Sequence, residues 1–270
     1  MTAIMAVFGM CVAFLFGVIA YYHFFPAKLA DITLSNGKQT VYFLQMSHIA
    51  SEGFYAQKHQ KISQYANSGA TILMEGVGTG SPENMKKLHD ALSFELTDTL
   101  YDRLAGFLGL VGQDHDVLFR DIQEEQIQHV DLSVDDMIGL MATGNISSTT
   151  GSEITPPIDM EAQIALIEES ASPREKRLYQ MILLTVLNAV IGNASDLGDL
   201  GNAFPPELYH AIVTHRNQRV VDYILAHPQE TIVVPYGALH FDGIFRALQQ
   251  SDPEWKVLDI EETVPYPVFP

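Results

Sequence analysis

The stretch VYFLQMSHIASEGFYAQKHQKISQYANSGATILMEG, Val41 to Gly76, decides how this chain is read. Val41 to Leu44 is a short run of β-branched and aromatic residues that ends in Gln-Met-Ser-His. Ser51 stands where a helix N-cap belongs, ahead of a segment of mixed polarity, and Asn67-Ser68-Gly69 supplies the stop. A second apolar run, Ala70 to Met74, breaks off at Glu75. The spacing predicts strand, helix, strand, with both strands buried and parallel. Polar residues just past the C-terminal ends of such strands lie where open α/β sheets bind ligands. His48 and Glu75 both occupy such positions. Taken alone, His48 reads more readily as a hydrogen-bonded loop histidine.

The same order recurs far along the chain. Thr231 to Tyr236 is an apolar strand, followed by Gly237-Ala238-Leu239-His240 and a short amphipathic helix to about Gln250. A further strand, Trp255 to Ile260, ends in Glu261 and Glu262. Both copies read strand, x-x-x-His, helix, strand, acid. Two histidines from such distant segments meet only if their strands lie close together in one sheet. If they do, His48, His240 and Glu75 have the makeup of an open divalent-metal site: two neutral imidazoles, one carboxylate and room for water.

A chain of 270 residues is ample for one α/β domain. Its 33 acidic against 15 basic residues argue against nucleic acid as a partner and against an anionic membrane surface, since both demand a basic face. The one cysteine, Cys11, lies in the N-terminal apolar stretch, so the folded domain has neither a disulfide nor thiolate chemistry. Ala3 to Tyr22 carries no charge over about twenty residues, long enough to span a bilayer as a helix. A signal peptide cleaved after Val18-Ile19-Ala20 is the competing reading, but no basic segment precedes the apolar run. Residues 1–26 are thus read as a single-pass membrane anchor or signal sequence, and 27–270 as the folded domain.

Asn36-Gly37 predicts a hairpin between strands at Asp31 to Leu34 and Gln39 to Leu44. The glycine-rich Gly76 to Gly80 lacks the spacing of a phosphate loop and reads as a flexible turn. Ser81-Pro82-Glu83 opens a helix. Ile127 to Leu132 is a short strand with Asp131 at its tip, facing the site or capping the next helix; Gln113 carries the same ambiguity. Gly144 to Pro157 reads as a loop or lid, and Pro173 to Ile191 as a buried or dimer-forming helix. In the helix expected over Pro205 to Ala226, Arg216 falls in the middle of the stripe formed by Tyr209, Ile212, Val213, Val220, Tyr223 and Ile224, with Asn217 at its edge. A guanidinium there needs a carboxylate or a bound anion. Glu75 or Asp131 would serve structurally; alternatively Arg216 holds substrate.

With Gly237-x-x-His240, Arg216-Asn217 and Glu75 assembled, the chain resembles the TraB/Tiki group, which joins TraB pheromone-shutdown proteins, GumN-type bacterial proteins and Tiki metalloproteases. The first motif departs, since Gln45 stands where that group has glycine before Met46-Ser47-His48. The resemblance implies an α/β fold with a mixed, mostly parallel sheet flanked by helices, in two related halves around a central cleft. It implies a divalent metal (Mn, Co or Zn) on His48 and His240, with Glu75 as ligand or general base. Arg216 and Asn217, with Gln113 and Asp131 nearby, would orient a peptide or small-molecule substrate. The expected activity is that of a membrane-tethered metal-dependent hydrolase of the peptidase class, on the extracytoplasmic side. The alternative is a protein that sequesters a peptide, pheromone or haem in the same cleft, as ChaN-like relatives do; Tyr236 and Met46 would then stand at the mouth as haem ligands. A fold relative with an inactive site is the third reading.

Overall fold

The strand–helix–strand unit is present where the sequence predicts it. The structure, a computed structural model, describes residues 14, 16–92, 99–143, 159–192 and 209–267. In chain order the first elements are β1 (Leu29–Ser35), β2 (Thr40–Met46), β3 (Ile49–Ala50), α1 (Glu52–Asn67), β4 (Thr71–Met74), α2 (Pro82–Leu92) and α3 (Leu100–Leu108). Next come β5 (Val111–Gly112), α4 (His115–Leu118), β6 (Ile127–His129), α5 (Val134–Thr143), α6 (Met160–Ser170) and α7 (Pro173–Gly192). A π-helical segment, His210–Thr214, leads into α8 (His215–Ala226), and β7 (Ile232–Gly237), α9 (Phe241–Ser251) and β8 (Lys256–Thr263) follow. Ser51 caps α1 by accepting from the Phe54 N–H, and Gly69 leaves the helix with φ 86°.

Six strands form one sheet in the order β6-β4-β7-β2-β1-β8. β6, β4, β7 and β2 are mutually parallel, and β1 runs against both β2 and β8. The expected mixed, mostly parallel sheet is therefore found. Its two central strands are those that lead to His48 and His240, paired in parallel from Val41↔Ile232 to Met46↔Gly237. From that pair the chain leaves in opposite directions. The β2–α1–β4 crossover lands beyond β7, and β7–α9–β8 lands beyond β2 and β1. Such a reversal opens a crevice at the C-terminal ends of the strands.

Alternation along the strands builds two cores. Phe43, Val234 and Tyr236 point to one face and pack with Val220 and Ile224 of α8 and Ile244 and Leu248 of α9. Leu44, Met46, Ile72 and Val233 point to the other, against Phe54, Ile62 and Ala66 of α1. α1 is also tied to β1 by charge: Lys58, wholly buried, donates to Asp31, whose second oxygen accepts from Lys61 at 2.7 Å. α7 is buried on one side only, through Leu184, Thr185 and Asn188, while Val186 and Val190 stay exposed.

One expectation changes. The Gly76–Gly80 turn is pinned to the segment after β6: Gly78 N–H donates to Leu132 O (3.0 Å) and Val134 N–H donates to Gly78 O (2.9 Å). A Cβ on Gly80 would lie 2.7 Å from Val134 Cβ. Gly80→Ala is expected to destabilise the fold by about 1–3 kcal/mol through overpacking, whereas Gly53→Ala, in open space on α1, should be neutral or stabilising; urea-unfolding midpoints of the two variants check this. Residues 16–24 are helical, but no helix among the described residues is long and apolar enough to cross a membrane. Most of the span expected over Ala3 to Tyr22, and all of the Gly144 to Pro157 loop, lie outside the described residues.

Candidate functional site

Because β6, β4, β7 and β2 are neighbours and parallel, their C-terminal ends deliver Asp131, Glu75, His240 and His48 in that order along one edge of the sheet. α8 brings Arg216 and Asn217 to the same edge from one face. Both are buried, as the apolar stripe predicts for Arg216. The π-helical segment just ahead of α8 adds a residue to the turn there, a distortion that recurs near functional positions.

Arg216 answers its own burial with two carboxylates. Nε and Nη2 donate to the two oxygens of Asp131 (2.7 and 2.6 Å), and Nη2 also donates to Glu75 Oε1 (2.9 Å). Nη1 reaches the Ile212 carbonyl at 3.3 Å. Asp131 further accepts from the N–H groups of Gly76 (3.1 Å) and Leu132 (2.8 Å). It is thus the counter-ion of Arg216, and capping of α5 falls to Ser133, whose Oγ accepts from the Asp136 N–H. With its donors engaged in this way, Arg216 serves to hold the acidic residues of the site in place.

Glu75 is held from two sides: the Gly237 N–H donates to Oε2 at 2.6 Å while Arg216 takes Oε1. Burial alone would raise its pKa, but His240, Arg216 and His48 outweigh that and keep the carboxyl well below the usual range. Glu75 is therefore ionised throughout the physiological range and is a weak base. His240, also buried, has Nδ1 2.6 Å from Asn217 Oδ1 and Nε2 3.4 Å from Glu75 Oε1.

His48 differs from its counterpart. It keeps solvent access, and its ring lies against Tyr101 of α3 with centroids 4.9 Å apart. The surrounding walls disfavour its charged form, and Arg216 and His240 add to that against the pull of Glu75, so its pKa is lowered and the ring is neutral near pH 7. The His48 carbonyl accepts from the Gln113 N–H (2.8 Å), continuing the β3–β5 pairing. Gln113 Nε2 lies 3.2 Å from His115 Nε2, which makes a third imidazole part of this wall. Burial lowers the His115 pKa, and His115 feels both Glu75 and His48.

Sequence reading missed Tyr101, His115 and Gly243. A histidine directly after a helix-capping aspartate, Asp114-His115, was the available signal for the second. A glycine inside the first turn of an amphipathic helix was the signal for the third. Conversely, Tyr236 and Met46 are buried in the two cores and do not line the mouth, which removes the residues offered for haem ligation. Gln45 does not enter the cleft either: its Oε1 accepts from the Ala30 N–H of β1 at 2.7 Å. In the β2–β7 register Gly237 faces Met46, one residue past Gln45, so the two histidine motifs are out of step across the sheet.

The donor types suit a divalent cation on two imidazoles, since His48 is neutral and a retained carboxylate charge lies beside His240. Glu75 itself is committed to Arg216 and Gly237, and among the described residues no three His, Cys, Asp or Glu side chains form a ready ligand set. His48 and His240 supply imidazoles and Glu75 a carboxylate, the donor types a divalent cation takes. A cavity of about 290 Å³ lined by Leu100, Arg103, Asp159 and Met160 includes none of these residues and is separate from the site.

The geometry thus defines an open α/β sheet with a polar crevice at its switch point. Comparison with protein-family models, with curated proteins and with solved structures returns no match.

Proposed function

We propose that the chain is a hydrolase of the TraB/Tiki type, acting on peptide bonds at the sheet-edge crevice and tethered to a membrane by its apolar N-terminal segment. The observation that carries this reading is the delivery of His48, His240, Glu75 and Asp131 to one edge by four adjacent parallel strands. His48 and His240 would hold a divalent cation (Mn, Co or Zn) through neutral imidazole nitrogens. When bound, such a cation supplies a water of lowered pKa and polarises the substrate carbonyl. Glu75 provides fixed negative charge against that cation, and the Arg216 guanidinium keeps the carboxylate ionised and in position. Gln113 and His115 present polar groups to a substrate entering from the β5 side.

Incubating the full-length chain with fluorogenic peptides in the presence of Mn²⁺, Co²⁺ or Zn²⁺ tests the proposal. The expected outcome is cleavage that is abolished by a chelator and restored by at least one of the three ions. Cleavage insensitive to chelation, or peptide binding without turnover under all three, would replace it with a metal-independent or a sequestering role.

A further inference from the structure

Asn217 and Gly243 lie behind His240 in a way that the proposed role of Asn217 in holding substrate does not use. Asn217 is buried, and its Oδ1 approaches His240 Nδ1 at 2.6 Å. An amide oxygen can only accept, so at that distance Nδ1 must carry the proton. The other nitrogen, Nε2, lies 3.4 Å from Glu75 Oε1, whose carboxylate already has Arg216 on Oε1 and the Gly237 N–H on Oε2. In the neutral ring the Asn217 contact leaves the lone pair on Nε2, the nitrogen that faces Glu75.

What allows Asn217 to reach this position is the absence of a side chain at Gly243. A Cβ there would overlap the Asn217 amide nitrogen outright and press on its Cγ at 3.3 Å. Gly243 is a helical residue of α9 with no need for a left-handed backbone. In the first turn of α9 it forgoes the helix propensity an alanine would bring, and the space it leaves is filled by the Asn217 amide.

We propose that Asn217 and Gly243 are positioning residues that fix the Nδ1–H tautomer of His240 and so present Nε2 as a lone-pair donor to a divalent cation or a substrate proton. In this role Asn217 acts through the imidazole and does not touch substrate. The inference rests on the proposed function only for what Nε2 meets; the tautomer is a property of the chain itself. Buried partners of this kind orient ligating histidines and set their basicity.

Long-range proton–nitrogen correlation spectra of the ¹⁵N-labelled full-length chain in detergent micelles test it, with His240 assigned from its loss in His240→Gln. The expected wild-type result at neutral pH is a pyrrole-like Nδ1 and a pyridine-like Nε2. Asn217→Ala and Gly243→Ala should both lose that preference, while Asn217→Asp, which still accepts from Nδ1, should keep it. Affinity for Zn²⁺ alone should fall about 10–100-fold in the first two variants and stay at the wild-type level in the third. A wild-type Nε2–H tautomer, or an unchanged His240 signature in folded Asn217→Ala, would overturn the proposal. Retention of the signature in Gly243→Ala would overturn the part played by the glycine. A wild-type chain that binds no Zn²⁺ yet shows the Nδ1–H form would remove the metal from the proposed function and leave the tautomer assignment standing.

Discussion

Replacing Arg216 by methionine is expected to lower stability by about 3–5 kcal/mol, the usual consequence of removing one partner from a buried ion pair. Here the loss falls on two carboxylates, because Asp131 and Glu75 both depend on the same guanidinium. Methionine restores much of the volume, so the effect measures uncompensated charge more than a cavity. The pH dependence separates the two. Burial works against the Arg216 charge, but Asp131 and Glu75 raise its pKa, so it stays protonated at every accessible pH. In the wild type the depressed Glu75 contributes stability that is fully present above the ordinary glutamate value of 4.5 and is lost as pH falls toward its folded value. In Arg216→Met the buried Glu75 carboxylate loses the guanidinium that offsets its burial, which raises its folded pKa. That variant should therefore gain stability as pH falls from 7 toward 5, while the wild type does not. Urea unfolding of both proteins at pH 7 and pH 5 reads the effect, and parallel pH profiles would show that the ion pairs contribute little.

His48→Ala is expected to lower kcat/KM for peptide cleavage on the order of 10²–10⁴-fold with a stability change within about 0.5 kcal/mol. The separation is possible because this histidine has solvent access and its ring lies against Tyr101. His240→Ala should lose activity to a similar degree but also stability, by about 1–3 kcal/mol, since the buried Asn217 oxygen would lose its donor. Kinetics and unfolding curves on the two variants together decide the matter. If both lose activity only in proportion to stability, neither imidazole takes part in chemistry. If His48→Ala is fully active, the crevice works with His240 alone, and the two-histidine site falls with it.

Much of this could be read from the residues because strands announce themselves by composition and end where polarity changes. Val41 to Leu44 and Thr231 to Tyr236 are apolar enough to be central, and central strands place their following residues at the crevice. Arg216 was legible for a related reason, since a charge on an apolar helical stripe has to be neutralised where it is buried. Glu75 and Asp131 were both named as its partners; that it meets the two together was not legible, as that depends on β6 lying beside β4, a pairing of only three residues from Ile72↔Ile127 to Met74↔His129. Tyr236 and Met46 were misplaced at the mouth because position along a strand was considered without its face: both alternate inward, into opposite cores. Asn217 reaches His240 because of a missing atom at Gly243, and an absent side chain leaves no periodic trace. Tyr101 and His115 come from helices that dock on the wall, so their approach is a matter of tertiary packing.

The pairing of β2 with β7 joins positions 191 residues apart, taking Val41 and Ile232 as register partners. During synthesis, β2 emerges long before the strand that will lie beside it, and it must wait with an apolar edge uncovered while most of the chain is still being made. Contacts of such separation form slowly, so nascent chains of this protein should lean on holding chaperones until β7 leaves the ribosome.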